Sequence, residues 1–303
     1  MSVPATTRVK RLLRRRGLKV VPRSAFWDHV KGSVDIPMAK STKPVPVLSV
    51  ALPLYRAKKI AWLCLEGLCK QKDAPAWELL VAEENKPGSL GSHDIIGYMG
   101  RLARAGCVRL LYLNLNAWVP LSMKWAALGE SAKGSVGFLL SAADCYSSPD
   151  RLCRTNVLLR EGYHWVQAPS IHLYHLQTGR RLVYTGDPTI QPIDQMAFDI
   201  HLARQIPYVD RRSKVDSWLM RVCRAFVGDG FKLVADAEMQ WRLSLNVRGH
   251  NNISDPTNLF DRPRDGYVPA TKKLRLPKRI IKRLRCLQGS PEMPIRPWEK
   301  PID

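Results

Sequence analysis

A single carboxylate, Asp144, follows a short apolar run at residues 136–140 in the stretch Ser141-Ala142-Ala143-Asp144, and Pro149 breaks the chain soon after. The run predicts a buried strand, and the carboxyl ends of strands in open α/β sheets are where ligands are held. A lone acid there, flanked by Ser141 and Ser148, could hold a metal or a polar substrate. The competing reading is a turn aspartate that accepts hydrogen bonds from its own backbone. Two earlier predicted strands also end in polar residues, Pro53-Leu54-Tyr55-Arg56 and Glu83-Glu84. His172 and His175, three apart on a predicted strand, point to opposite faces and are read as structural.

Positioning these strand ends takes a regular alternation of elements. Residues 47–54 read as an apolar strand ended by Pro53, and residues 58–69 as a helix with apolar positions at 60, 63, 64, 65 and 68. Residues 77–82 are the next strand, 95–106 a helix stopped by Gly106, 108–115 a third strand, and 121–133 a helix that delivers the chain into residues 136–140. This order with short connections predicts a parallel sheet wrapped by helices. Past Pro149 the pattern changes. Residues 171–185 read as a hairpin turning at Gly179, 194–203 and 215–226 as helices, and 241–247 as a half-buried strand. The expected organisation is α/β, with a basic N-terminal arm and linker over residues 1–45 and one Rossmann-like domain over 46–265. A basic, helical C-terminal tail occupies 266–303. The domain is expected to fall into two halves, 46–150 and 151–265.

The net charge of +22 is unevenly placed: residues 1–50 carry +9, residues 271–303 carry +7, and the long stretch between them only +6. Two basic ends on a nearly neutral body make a field suited to a polyanion, either nucleic acid or an anionic membrane surface; solvated solubility arms are the alternative. Residues 8–16 form a short basic amphipathic stretch whose Val9, Leu12 and Leu13 line up as an apolar stripe. No apolar run is long enough to span a membrane and the first residues lack a secretory signal, so a soluble, cytoplasmic protein is expected. Seven cysteines without Cys-x-x-Cys spacing are expected to be reduced and mostly buried.

Taken in order, Pro53-x-Tyr55-Arg56, Glu83-Glu84 and Asp144 resemble the strand ends of a GT-A glycosyltransferase of the family-2 type, over about residues 46–255. The resemblance implies an inverting transfer of a sugar from a nucleotide-sugar, such as a UDP-sugar, to a hydroxyl, with a divalent metal, Mn or Mg. It places Pro53 and Tyr55 in the nucleoside pocket and Glu84, or its neighbour Glu83, on the base. Asp144 matches the acid that touches the metal, and His250, in Gly249-His250-Asn251-Asn252, matches a late histidine ligand. Where the family has Asp-x-Asp-Asp, however, this chain has Ser141-Ala142-Ala143-Asp144, so one carboxylate remains. Lys124 could share the neutralisation of the departing diphosphate or be a solvated helix residue. The catalytic base implied is Asp216, at a predicted helix start where an N-cap is the rival role, with Asp210 second and Asp194 and Asp199 behind.

The basic ends bear on the acceptor. Saccharide, lipid and protein acceptors do not demand such charge, whereas DNA does. The Lys124-Trp125 helix and the Asp144-Cys145-Tyr146-Ser147 region resemble phage-encoded members, a class that glycosylates hydroxymethylated pyrimidines. The leading expectation is therefore modified DNA, its target base rotated out of the duplex. The rivals are an acceptor at an anionic membrane surface, with the amphipathic stretch as peripheral anchor, and a non-catalytic nucleic-acid-binding protein on the same scaffold.

Overall fold

The computed structural model describes residues 4–38, 45–168, 170–175, 181–184, 196–211, 215–235, 245–248, 267–269 and 278–287. The chain begins with helix α1 (Ala5–Arg15) and the single turn α2 (Ser24–Trp27), then β1 (Val30–Pro37). Next come β2 (Leu48–Leu54), α3 (Trp62–Leu68), β3 (Trp77–Glu84), α4 (Gly91–Ile96), α5 (Met99–Arg104) and β4 (Cys107–Leu115). Helix α6 (Leu121–Ser131) leads to β5 (Gly137–Leu140), β6 (Cys145–Tyr146), α7 (Arg151–Arg160) and β7 (Trp165–Gln167). A hairpin of β8 (Ile171–His175) and β9 (Arg181–Tyr184) precedes β10 (Ala197–Asp199), α8 (Ile200–Ala203) and α9 (Val215–Val227). The described residues end with β11 (Leu233–Ala235), β12 (Leu245–Arg248), β13 (Tyr267–Pro269) and α10 (Lys278–Leu287).

The fold is mixed α/β around a large central sheet in the order β1-β4-β3-β2-β5-β10-β7-β11. Its centre, β4-β3-β2-β5, is parallel, with Leu48 opposite both Trp77 and Gly137. These strands are buried on both faces, which explains why they read as near-continuous apolar runs. Along β3 the pleat sends Leu79 and Val81 into a core shared with α3 and α5, and Leu80 and Ala82 into one shared with α6 and α9. Strand β10 runs antiparallel between β5 and β7, and its Phe198 stacks on Trp165 at 5.2 Å and meets Phe138 at 5.5 Å. A second sheet, β13-β9-β8-β12-β6, takes up the chain directly after residue 144.

At the amino ends of the parallel strands a buried carboxylate closes the α6–β5 connection. Glu78 accepts from Ser49 Oγ at 2.6 Å, from the Lys133 and Gly134 amides at 2.6 and 2.9 Å, and from Arg109. Arg109 in turn holds Asp35 of β1 at 2.8 Å, so the edge strand is clamped to the sheet by charge as well as by its ladder.

Several elements differ from expectation. The sheet begins at Val30, so the stretch expected as a separate arm up to residue 45 contributes a whole edge strand. Gly32 and Pro37 blur its alternation, and an edge position tolerates both. The expected helix 95–106 is two short helices on either side of Gly97-Tyr98, and of the expected helix 194–203 residues 197–199 are a strand and 200–203 one helical turn, with 194 and 195 outside the described residues. Too few residues lie in β10 for periodicity to be read. The apolar stripe of the N-terminal stretch is turned inward: Val9 and Leu13 are buried against α9, contrary to a free arm. Of the expected strand 241–247, residues 245–247 are within β12 and the rest lie outside the described residues.

Candidate functional site

Asp144 occupies the junction of the two sheets. Strand β5 ends at Leu140, the Ser141 amide donates to Ala51 O within β2 at 2.9 Å, and β6 begins at Cys145. The loop between them is held from beneath by Arg151, which is 1% exposed. Its Nη1 donates to Ser141 Oγ at 2.9 Å and Ser147 Oγ at 3.0 Å, and its Nη2 donates to Leu140 O. Gln71 adds a second tie, donating to Ser148 O at 2.7 Å and accepting from the Leu152 amide at 3.0 Å. Gly67 of α3 lies directly under this loop, where a Cβ would meet Ser147 N at 2.6 Å. A half-buried Asp144, 3.7 Å from Cys145 Sγ, therefore stands on a rigid platform. Burial pushes the nearby Cys64 thiol up to about 12, with Arg151 opposing that rise; Cys64 is an inert wall.

The acids ending β3 are committed internally. Glu83 is fully buried and accepts from the Leu90 and Gly91 amides at 2.8 and 2.9 Å and from Tyr112 Oη at 2.8 Å. It anchors the loop entering α4, and burial together with Glu83 itself holds the Tyr112 phenol far above its ordinary value. Glu84, also fully buried, accepts from the Val119 amide at 3.1 Å and from Lys124 Nζ at 2.7 Å, and the same Nζ donates to Leu54 O at 2.6 Å. Neither of the roles expected of these residues, base recognition by Glu83 or Glu84 and diphosphate contact by Lys124, matches side chains enclosed in this way. Lys124, on α6, instead fastens the end of β2 to the end of β3.

Pro53 and Tyr55 leave the same sheet edge and are partly exposed, as an open pocket wall requires. Arg56 is the residue that composition and spacing did not single out. Its φ of 45° puts a non-glycine residue in the left-handed region, a conformation that costs about 1–3 kcal/mol and clusters at ligand sites. Its guanidinium lies over the Tyr55 ring at 5.5 Å, and its Nε is buried without a hydrogen-bond partner. An unmet donor on a cation costs free energy unless an acceptor arrives. No pattern in the sequence announces a positive φ at an arginine.

Asp210 lies on the segment after α8 and Asp216 at the start of α9. Ser122 of α6 donates to Val209 O at 2.6 Å and accepts from the Arg211 amide at 3.1 Å, which brings the 209–211 segment to the amino end of the helix that carries Lys124. Asp210 is exposed on that segment, and Asp216 is half-buried in the first turn of α9. Asp199 accepts from the His201 amide at 2.6 Å and caps α8. His250 and Asp194 lie outside the described residues. Among the described residues no three His, Cys, Asp or Glu side chains gather as a metal cage. One carboxylate at Asp144 suits a hard cation that keeps most of its ligands from diphosphate oxygens and water.

No family model matches the chain, and no curated protein matches it. Among solved structures it is similar to TarS 1–349 from S. aureus, at 14% identity over 66% of this chain and 60% of that one, with a TM-score of 0.48. It is similar to the same S. aureus protein in complex with UDP-GlcNAc, at 16% identity over 66% and 58% with a TM-score of 0.49. A third is the mannosyltransferase PcManGT from Pyrobaculum calidifontis in complex with GDP-Man and Mn2+, at 13% identity over 70% and 59% with a TM-score of 0.49. The chain thus spans less than two thirds of each. At such identities and scores the reading of the site rests on its own geometry. No helix among the described residues is long and apolar enough to cross a membrane.

Proposed function

We propose that this protein is an inverting glycosyltransferase of the GT-A, family-2 type, phage-encoded, which moves a sugar from a nucleotide-sugar, a UDP-sugar first, to the hydroxyl of a hydroxymethylated pyrimidine in DNA. The observation that carries the reading is the convergence of three strand ends on one edge of a parallel sheet. There Pro53, Tyr55 and Arg56 leave β2, Glu84 ends β3, and Asp144 stands at the sheet junction after β5. This is the edge at which open α/β sheets take ligands.

In this reading Pro53 and Tyr55 line the nucleoside pocket, while Glu83, bonded to the Leu90 and Gly91 amides and to Tyr112, and the Lys124–Glu84 pair, bonded to Leu54 and Val119, form its floor. The buried, unmet Nε of Arg56 faces the donor's negative charge. Asp144, with His250, would hold a divalent cation, which when bound supplies charge neutralisation for the leaving diphosphate. Asp216, with Asp210 as the second candidate, takes the proton from the acceptor hydroxyl. The hydroxyl oxygen then bonds to the anomeric carbon as its bond to the diphosphate breaks, and the nucleoside diphosphate leaves with the electron pair. Attack opposite the leaving group inverts the anomeric centre.

Incubating the protein with hydroxymethylated duplex DNA and a panel of nucleotide-sugars, then digesting to nucleosides, tests the proposal by mass. A gain of one hexose or pentose on the hydroxymethyl nucleoside is expected; an unmodified nucleoside with every donor refutes the acceptor. The loss of all but one acid from the metal motif favours one alternative, a non-catalytic nucleic-acid-binding protein on this scaffold. Turnover of any donor excludes it.

A further inference from the structure

The two basic ends of the chain fold onto different faces and are engaged differently. Helix α10 docks through Ile280 and Leu284, and its cations help to seat it: Arg279 Nη2 reaches Glu66 at 2.5 Å and Arg283 lies 4.1 Å above the Trp62 ring. Helix α1 packs antiparallel along α9. Near its start Arg8 donates from Nε to Ala225 O at 2.7 Å and from Nη2 to Phe226 O at 2.6 Å, capping the carbonyl end of α9. Gly228, at φ 82°, keeps that corner open, since a Cβ there would meet Arg8 Cζ at 3.2 Å. Beyond its other end, Val20 bridges Val209 and the Val21 amide donates to Tyr208 O at 3.0 Å.

With Val9 and Leu13 buried in that packing, the outward face of α1 and the turn after it is left to six exposed cations, and no acid precedes Asp28. Arg221 and Arg224 of α9, the helix α1 packs on, are exposed as well. The Val20–Val209 bridge brings the chain just after α1 to the 209–211 segment, where burial and then the charges of Arg16 and Arg221 lower the proton affinity of Arg211. An apolar stripe turned inward cannot insert into lipid, which removes the basis for a membrane anchor.

Resting on the polynucleotide acceptor proposed above, we propose that the α1–α9 ridge, ending in Arg16, Arg211 and Arg221, is the surface that grips the phosphodiester backbone of duplex DNA. The ridge leads its substrate to the strand-end site along the 209–211 segment. Arginine-rich, pattern-free positive charge fits phosphate contact without base readout. The bond from the Arg211 amide to Ser122, two residues from Lys124 on α6, joins the segment that carries Asp210 to the helix that ties the ends of β2 and β3.

Fluorescence anisotropy with a short labelled duplex, read across a salt series, tests this on the full chain. Arg16→Ala with Arg221→Ala is expected to weaken binding at least tenfold at low salt and to lower the log–log salt slope by about 2. Arg16→Lys with Arg221→Lys keeps the slope, and Lys278→Ala with Lys282→Ala on α10 leaves it unchanged. An unaltered slope in the alanine pair, an equal loss in the α10 pair, or binding to anionic vesicles with none to the duplex overturns the proposal. Donor turnover by the unaltered protein is followed in parallel. A slope that depends on Arg16 and Arg221 without any donor turnover keeps the ridge and sinks the transferase; donor turnover with an indifferent slope does the reverse.

Discussion

Replacing Lys124 by methionine removes the cation from a pair enclosed at the strand-end edge. The lysine side chain is 4% exposed and that of Glu84 is 0%, and Nζ lies 2.7 Å from Glu84 Oε2 and 2.6 Å from Leu54 O. Methionine fills much of the same volume, so packing is largely kept while Glu84 is left charged, buried and bonded to the Val119 amide. Removing one partner of such a pair costs about 3–5 kcal/mol, because the other charge stays in low dielectric. That is a fall of roughly two to three and a half decades in the folding constant. Replacing both partners, Lys124→Met with Glu84→Leu, removes the unpaired charge, and such exchanges are often neutral to within about 1–4 kcal/mol on the stabilising side. Urea unfolding of the three proteins checks this. The expected order is a low midpoint for the single variant and a recovered one for the double. A single variant that loses less than about 1 kcal/mol, the range of an exposed pair, would show that Lys124 and Glu84 do not hold the floor together. A single variant that folds normally and loses nucleotide affinity would put Lys124 on the donor.

Gly67→Ala forces a Cβ to within 2.6 Å of the Ser147 backbone and is expected to cost about 1–3 kcal/mol by overpacking, with loss of transfer as the Asp144 loop is displaced; thermal unfolding and donor turnover read the two effects. Arg56→Ala is expected to weaken donor binding by about 1.5–3 kcal/mol, the worth of a hydrogen bond to a charged group, with no loss of stability by thermal melt. Glu66 is held below the ordinary carboxylate value by the hydrogen bond from Arg101, against the opposing effect of burial. Its contribution is therefore present above pH 4.5 and is lost as pH falls through the lower folded value. Glu66→Gln should flatten the acid limb of the stability curve, and a steep limb that survives in the variant would contradict the assignment.

The four central strands were legible because burial on both faces makes each a near-continuous apolar run, as in residues 79–82. Strands β1, β7, β10 and β11 were not, since short or edge strands with glycine, proline or three apolar residues carry no period to detect. The strand ends at Tyr55, Glu84 and Asp144 could be found because acids and aromatics interrupt apolar runs. Which of them face outward could not: Glu83 and Glu84 differ from an exposed pair through Leu90 and Gly91 on the next loop and through Tyr112, Val119 and Lys124 farther along the chain. Arg151 was not legible because its enclosure by Ser141 and Ser147 is set by the fold, and Arg56, though part of the strand end read from the sequence, carried no sign of its backbone angle. The charge asymmetry of the ends was plain from composition, yet whether the apolar stripe of residues 8–16 met lipid or protein depended on Val9 and Leu13 finding α9.

The central claim is that the edge around Asp144 holds a nucleotide-sugar for transfer. The most direct measurement is release of nucleoside diphosphate from a panel of nucleotide-sugars, with and without Mn2+, by the unaltered protein and by Asp144→Asn. Asp144 is half-buried on a loop held by other residues, so the variant should fold with unchanged melting while its turnover falls at least a hundredfold. Turnover that is equal in both proteins, or absent from both with no nucleotide-induced thermal shift, would contradict the account.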